Sequence, residues 1–107
     1  MGHFGSPRRT VYCATKHALE GMTKSLASEL GLANIRVNTL CPTFIETPIT
    51  APMFTDELFR KWVIERIALG RLGRLEEVMG AVVFLASDAS SLVTGSALML
   101  DGGWTAV

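Results

Sequence analysis

Apolar and small residues recur at spacings of three and four from position 10 onward: Val11, Ala14, Thr15, Ala18, Leu19, Met22, Leu26 and Leu30. That period predicts an amphipathic helix. Thr10 is suited to cap its start and Gly31 to end it. Before it, Gly2, Gly5 and Pro7 break any period, so residues 1–9 read as a loop. The pattern then changes. Ile35 to Cys41 is short, β-branched and nearly uncharged, as a buried strand would be. Pro42, Pro48 and Pro52 mark a long irregular segment after it. A second helix is expected after Thr55, with Asp56 and Glu57 in its first turn and Arg66 near its end, as the helix dipole favours. Leu58, Phe59, Trp62, Val63 and Ile67 form its apolar stripe. Gly70 to Arg74 reads as a basic turn, and a third helix runs from about Glu76 to Ser87. The stretch from Val78 to Ala86 is apolar all round, which predicts burial on more than one side. Asp88 to Gly95 reads as a loop, and Ala97 to Leu100 as a last short strand ended by Asp101-Gly102-Gly103.

The order is helix, strand, helix, helix, strand. Two strands separated by helices form a parallel crossover, right-handed by default. Parallel strands normally have neighbours on both sides, and two alone do not make a stable sheet. The first helix has no strand before it. The pattern therefore predicts an α/β chain that forms the second part of a larger domain, cut just before Met1. No repeat, low-complexity segment or linker interrupts it.

Composition narrows the function classes. In 107 residues, 10 basic and 10 acidic side chains cancel, which argues against a nucleic-acid partner. The 49% hydrophobic content excludes disorder. The longest uncharged run, between Asp88 and Asp101, has 12 residues and is too short to span a bilayer. No signal-peptide pattern opens the chain, and its two cysteines, Cys13 and Cys41, are expected to stay reduced in a cytoplasmic protein.

One pair of residues carries chemistry. Tyr12 is the only tyrosine, and Lys16 lies four residues on, so both project from one helix face a turn apart. A free phenol has a pKa of about 10 and is a poor proton donor or acceptor at neutral pH. A neighbouring ammonium stabilises the phenolate and makes the tyrosine a usable general acid/base. Taken alone, the pair reads first as a tyrosine and a lysine on a solvated helix surface.

The surrounding blocks add weight. Tyr12-Cys13-Ala14-Thr15-Lys16 is followed by Ile35-Arg36-Val37-Asn38-Thr39-Leu40-Cys41-Pro42 and Gly70-Arg71-Leu72-Gly73. Val83-Phe84-Leu85-Ala86-Ser87-Asp88, Val93-Thr94-Gly95 and Asp101-Gly102-Gly103 then follow in order. Over essentially its whole length the chain resembles the short-chain dehydrogenase/reductase family of the classical type. The resemblance implies the C-terminal portion of a Rossmann-type doubly wound parallel sheet, its last two strands with their helices. Residues 1–107 would be a partial NAD(P)-binding domain without its N-terminal cofactor-binding half. Tyr12 matches the catalytic tyrosine of the Tyr-x-x-x-Lys motif, and Lys16 the lysine that lowers its pKa and bonds the nicotinamide ribose. Pro42, Thr43 and Ile45 match the segment that faces the nicotinamide. The Ile45 backbone would meet the carboxamide, and Thr47 the carboxamide or the pyrophosphate. The implied cofactor is NAD or NADP, and the implied reaction interconverts a carbonyl and a secondary alcohol. The implied partners are a small-molecule substrate and further copies in a homotetramer, with neither nucleic acid nor membrane.

The chain departs from the family pattern in two respects. It has Pro42-Thr43 where the family usually has Pro-Gly, which is read as tolerated variation. It also lacks the family's glycine-rich phosphate loop, catalytic asparagine and catalytic serine; Ser6 is too close to Tyr12 to replace that serine. The rival reading is a non-catalytic piece that pairs with full-length subunits through its first helix. An isomerase or epimerase on the same scaffold has nothing in its favour.

The remaining candidates have plainer readings. His3 and His17 lack partners at metal-binding spacing and are expected at a surface or interface. Cys41 is expected to be buried packing. Arg71 and Arg74 form a solvated turn or an anchor for the substrate loop, and Met53, Phe54, Phe59 and Trp62 divide between core and pocket wall. Asp101-Gly102-Gly103 is expected to make a turn and a subunit contact rather than a metal site.

Overall fold

The first helix, α1, runs from Thr10 to Leu30 in the computed structural model, which describes residues 10–106. Thr10 is already helical, so it is not a cap. The loop expected over residues 1–9, with His3 and Ser6, lies outside the described residues. Gly31 does not end the helix in a left-handed turn. The chain first tightens into a 3₁₀ turn over Gly31–Ala33, and Asn34 takes the left-handed conformation with φ 61°. Its N–H donates to the Gly31 carbonyl at 2.9 Å. Asparagine tolerates this region because its short polar side chain offsets the steric cost.

Two units divide the chain, the first comprising the residues up to Thr39 with Ser90–Leu98, the second Leu40–Ala89 with Met99 onward. In the first unit, the face that α1 buries is Cys13, Thr23 and Ala27, with Lys16, Glu20, Leu26 and Leu30 half-buried. Most of the expected apolar stripe points elsewhere, with Val11, Leu19 and Met22 exposed. The inner face is small and polar because it meets polar neighbours. The Thr39 hydroxyl donates to the Glu20 carboxylate at 2.9 Å, and a Cβ on Gly95 would meet the Ala27 methyl at 3.4 Å.

The strand expected over 35–41 is shorter and later than its composition suggests. The first strand, β1, is Thr39–Pro42. Residues 36–38 are satisfied by side-chain bonds instead of a ladder. Arg36 donates to the Ser90 hydroxyl at 2.8 Å, and the Val37 N–H donates to the Thr94 hydroxyl at 3.1 Å. The Asn38 amide donates to the Val93 carbonyl at 2.9 Å and accepts from the Ser96 N–H at 3.1 Å. Of their backbone groups, the Val37 N–H takes the Thr94 hydroxyl and the Val37 carbonyl accepts from the Gly95 N–H at 2.8 Å, so Val37 is paired without a strand ladder. β1 then pairs with the last strand, β4, Ala97–Leu100. Thr39 N–H donates to the Ser96 carbonyl and Thr43 N–H to that of Leu100, so the two strands run parallel.

In the second unit, the irregular segment after Pro42 contains a short strand, β2 (Ile45–Glu46), and a 3₁₀ turn over Ala51–Thr55. Helix α2 spans Glu57–Arg66, and Asp56 is its N-cap rather than a first-turn residue. The Asp56 carboxylate accepts from the N–H groups of Leu58 and Phe59 at 3.0 and 3.2 Å. β3 (Gly73–Arg74) pairs parallel with β2, Ile45 opposite Gly73. Phe54, Val63, Ile67 and Leu72 form the core, with Phe44, Phe59 and Trp104 packed against it. Phe54 thus belongs to the core and Phe59 packs against it, while Met53 and Trp62 are exposed.

Helix α3, Leu75–Ala86, does not meet the expectation of burial on several sides. None of its residues is buried, and Met79, Val82, Val83 and Phe84 are exposed. The core of its unit is filled by α2 and the turns beside it, which leaves α3 at the periphery. No helix among the described residues is long and apolar enough to cross a membrane.

Candidate functional site

Helical spacing places Tyr12 and Lys16 together in the first unit. The Lys16 ammonium lies 5.5 Å from the centroid of the Tyr12 ring. Tyr12 is 43% exposed, and Lys16 is half-buried on the inner face of α1. The pair therefore places an ammonium over the face of a solvent-reachable phenol ring. Beside them, His17 Nδ1 lies 2.7 Å from the Cys13 carbonyl oxygen, which ties the imidazole to its own helix. Among the described residues no group of three His, Cys, Asp or Glu side chains could hold a metal ion.

Pro42, Thr43, Ile45 and Thr47 sit together in the second unit, along β1, β2 and the turn that follows. Pro42 is exposed and the other three are half-buried. Thr43 sits where the resembled family has glycine, yet the positive φ lies one residue on, at Phe44, with φ 52°. Thr43 thus needs none of glycine's freedom. For Phe44 a left-handed backbone costs about 1–3 kcal/mol and persists only where the surroundings fix it. The Gly73 N–H donates to the Phe44 carbonyl at 3.1 Å and holds the turn from that side.

Thr50, which the sequence did not single out, organises Thr47. The Thr50 hydroxyl donates to the Ile45 carbonyl at 2.6 Å and accepts from the Thr47 N–H at 2.9 Å. The Thr50 N–H approaches the Thr47 hydroxyl oxygen at 3.2 Å, and the two hydroxyls are 3.1 Å apart. Since the Thr50 proton is committed to Ile45, the Thr47 hydroxyl is the donor between them. It retains one lone pair, able to accept from a ligand amide N–H. The sequence signal was the Thr-x-x-Thr spacing, common in threonine-stabilised turns.

Thr43 and Ile45 also line a cleft of about 470 Å³, together with Ile67–Leu69, Val78, Met99 and Leu100. Its charged wall is Arg71, Glu77 and Asp101. Arg71 pairs with Glu77 at 2.8 Å, so the expected basic turn is an anchored one. Partial burial raises the Glu77 carboxyl pKa, but the Arg71 hydrogen bond, the Arg74 N–H and the Arg71 charge outweigh it and hold the group below the ordinary carboxylate range. Asp101 is also lowered, first by the Thr105 hydroxyl at 2.6 Å; burial opposes this, and the Gly103 and Thr105 N–H groups add to it. Asp101-Gly102-Gly103 is a turn, as expected. Its Gly103 has φ 93° and lies so close to Ala68 that a Cβ would fall 2.5 Å from that methyl.

Comparison with known proteins agrees with this architecture. A family model described as enoyl-(acyl carrier protein) reductase matches residues 1–105. A 3-oxoacyl-[acyl-carrier-protein] reductase of Thermotoga maritima is 48% identical over 103 residues, 96% of this chain and 41% of that protein. The structure of a 4-hydroxyisoleucine dehydrogenase complexed with NADH matches with a TM-score of 0.93 and 37% identity, over 99% of this chain and 44% of the other. That of a gluconate 5-dehydrogenase from Burkholderia cenocepacia, in complex with NADP and tartrate, matches with a TM-score of 0.90 and 35% identity, over 99% and 42%. The fold is thus that of a Rossmann-type α/β protein. The chain belongs to the short-chain dehydrogenase/reductase family of oxidoreductases. It spans about two-fifths of the length of these relatives.

Proposed function

We propose that this chain carries the proton-relay part of an NAD(P)-dependent oxidoreductase that interconverts a carbonyl and a secondary alcohol. The observation that carries the reading is the Tyr12–Lys16 pair, a phenol and an ammonium on one helix face. The names of the relatives support it, since they are reductases and dehydrogenases, and solved relatives hold NADH or NADP. In this reading residues 1–107 are the segment of a Rossmann domain that contributes the Tyr-x-x-x-Lys motif.

The nicotinamide supplies or accepts the hydride when bound, and the protein supplies position and a proton path. Tyr12 gives its phenolic proton to the carbonyl oxygen in reduction and takes one back from the alcohol in oxidation. Lys16 sets a positive charge beside the Tyr12 ring and offers ammonium donors to the ribose hydroxyls. The donor set of the second unit fits a carboxamide. Thr43 accommodates its Cβ in an ordinary backbone conformation, the Ile45 backbone lies at a strand edge, and Thr47 can accept from the amide N–H. The exposed Val11, Leu19 and Met22 on α1 and the exposed face of α3 support assembly with further protein, a homotetramer in this reading.

The test is oxidation of NADH and NADPH by the native protein against 3-oxoacyl thioesters, L-xylulose and keto-sugar acids. Turnover of one class is expected, and Lys16→Ala should weaken nucleotide affinity by about tenfold or more, since it removes a charge-assisted contact. A folded native protein that binds neither nucleotide overturns the reading.

A further inference from the structure

Five aromatic side chains of the second unit close into a ring. Successive centroids are 6.3 Å apart for Phe44 and Phe54, 5.8 Å for Phe54 and Phe59, and 6.3 Å for Phe59 and Trp62. Trp62 and Trp104 are 5.8 Å apart, and Trp104 returns to Phe44 at 4.8 Å. All fall within the range of favourable ring contacts. The ring gathers three separate stretches of chain: the turn before β2, the segment through α2, and the turn after β4.

Phe44 is the member in a left-handed conformation, and its two neighbours face the cleft while its own ring faces the cluster. The Gly73 N–H bonds the Phe44 carbonyl, so in the parallel ladder the backbone groups of Ile45 point to the opposite edge. There the Ile45 carbonyl takes the Thr50 hydroxyl. Returning φ of Phe44 to negative values would swing the Thr43–Phe44 peptide relative to β2. The side-chain contacts of Phe44 therefore decide how Thr43 and Ile45 are presented together.

We infer that Phe44, Phe54 and Trp104 are positioning residues for nucleotide binding: their ring contacts lock the left-handed turn that orients the Thr43 and Ile45 backbone. This rests on the function proposed above. It makes nucleotide affinity depend on a tryptophan in the turn that follows the last strand.

The test uses the native protein with Trp104→Leu, Trp104→Phe and Phe44→Gly. Two quantities are read: hydrogen-exchange protection of the Gly73 amide without nucleotide, and the dissociation constants of NADH and NADPH by calorimetry. Trp104→Leu should lower Gly73 protection and weaken nucleotide binding, each by about tenfold, with the kinetic loss falling on KM for nucleotide more than on kcat. Trp104→Phe, which keeps an aromatic face, should restore both. Phe44→Gly enters positive φ without strain, so it should fold and still bind less tightly because the turn is no longer locked. Unchanged affinity in Trp104→Leu or Phe44→Gly overturns the inference. So does a loss of affinity that leaves Gly73 protection intact or is not restored by Trp104→Phe. If the variants bind normally while turnover still requires Tyr12, this inference falls alone; if the unmodified protein binds no nucleotide, the proposed function falls with it.

Discussion

The two units are held together by different physics. In the first, the buried residues are small or polar, Cys13, Thr23, Ala27 and Ser90, and cohesion comes from hydrogen bonds centred on Arg36, Asn38 and Thr94. In the second, Phe54, Val63, Ile67 and Leu72 bury apolar surface under a ring of aromatics. The hydrophobic effect is non-directional and tolerates adjustment, whereas a hydrogen-bond network fixes geometry and is costly when half broken. The proposed proton relay sits in the unit held by directional bonds, where α1 is set by named polar contacts. The proposed nucleotide contacts sit in the apolar unit, where one strained residue is held by packing.

Three measurements can break that contrast. The largest effect on stability is expected from Ile67→Ala, which opens a cavity in the second core and should cost about 2–5 kcal/mol in denaturant unfolding. A cost near zero would mean the apolar cluster does not hold this unit. Next is Asn38→Ala, which leaves the Val93 carbonyl and the Ser96 N–H without their amide partner. The Val93 carbonyl keeps Arg36 at 3.4 Å and the Ser96 N–H is solvent-exposed, so each lost bond should cost about 0.5–1.5 kcal/mol, and exchange protection at the Ser96 amide should fall while the second core keeps its own. Equal loss in both units would show that they do not differ as described.

The smallest effect is a pH dependence confined to the second unit, where both lowered carboxyls lie. In the folded chain the Asp101 carboxyl is held below its ordinary value of 3.8, first by the Thr105 hydroxyl. Its contribution is therefore fully present above that value and is lost as pH falls through the lower folded one. Acid titration followed by tryptophan fluorescence should loosen the second unit in that window, since Trp62 and Trp104 both lie there. Asp101→Asn should remove that component. An unaltered acid transition in the variant would deny Asp101 the role.

What the chain pattern revealed and what it hid follow the same division. The strand Ala97–Leu100, the second helix and the tyrosine–lysine pair were legible because each depends on local spacing. The start of β1 was not, because Arg36, Val37 and Asn38 find their partners 54 to 57 residues away. The inward face of α1 was misread for a related reason. Its period was right, but the residues it buries were chosen by polar neighbours such as Thr39, and apolar content pointed to the other face. The left-handed turn carried a misleading sign, since Thr43 drew attention as the departure from glycine while the structure puts the positive φ at Phe44. The place of Trp104 depends on ring contacts with Phe44 and Trp62 that no local pattern encodes, whereas the Thr50 turn had a local sign in its Thr-x-x-Thr spacing.

The proposed chemistry turns on Tyr12 relaying the proton. Its most direct test is steady-state turnover of the native protein and its Tyr12→Phe variant, measured beside nucleotide affinity. The ring and its contact with Lys16 remain in the variant, and only the hydroxyl is lost. Turnover should fall by about 10²–10⁴-fold while nucleotide binding and the unfolding midpoint stay near those of the unmodified protein. A variant that keeps most of its turnover would contradict the assignment.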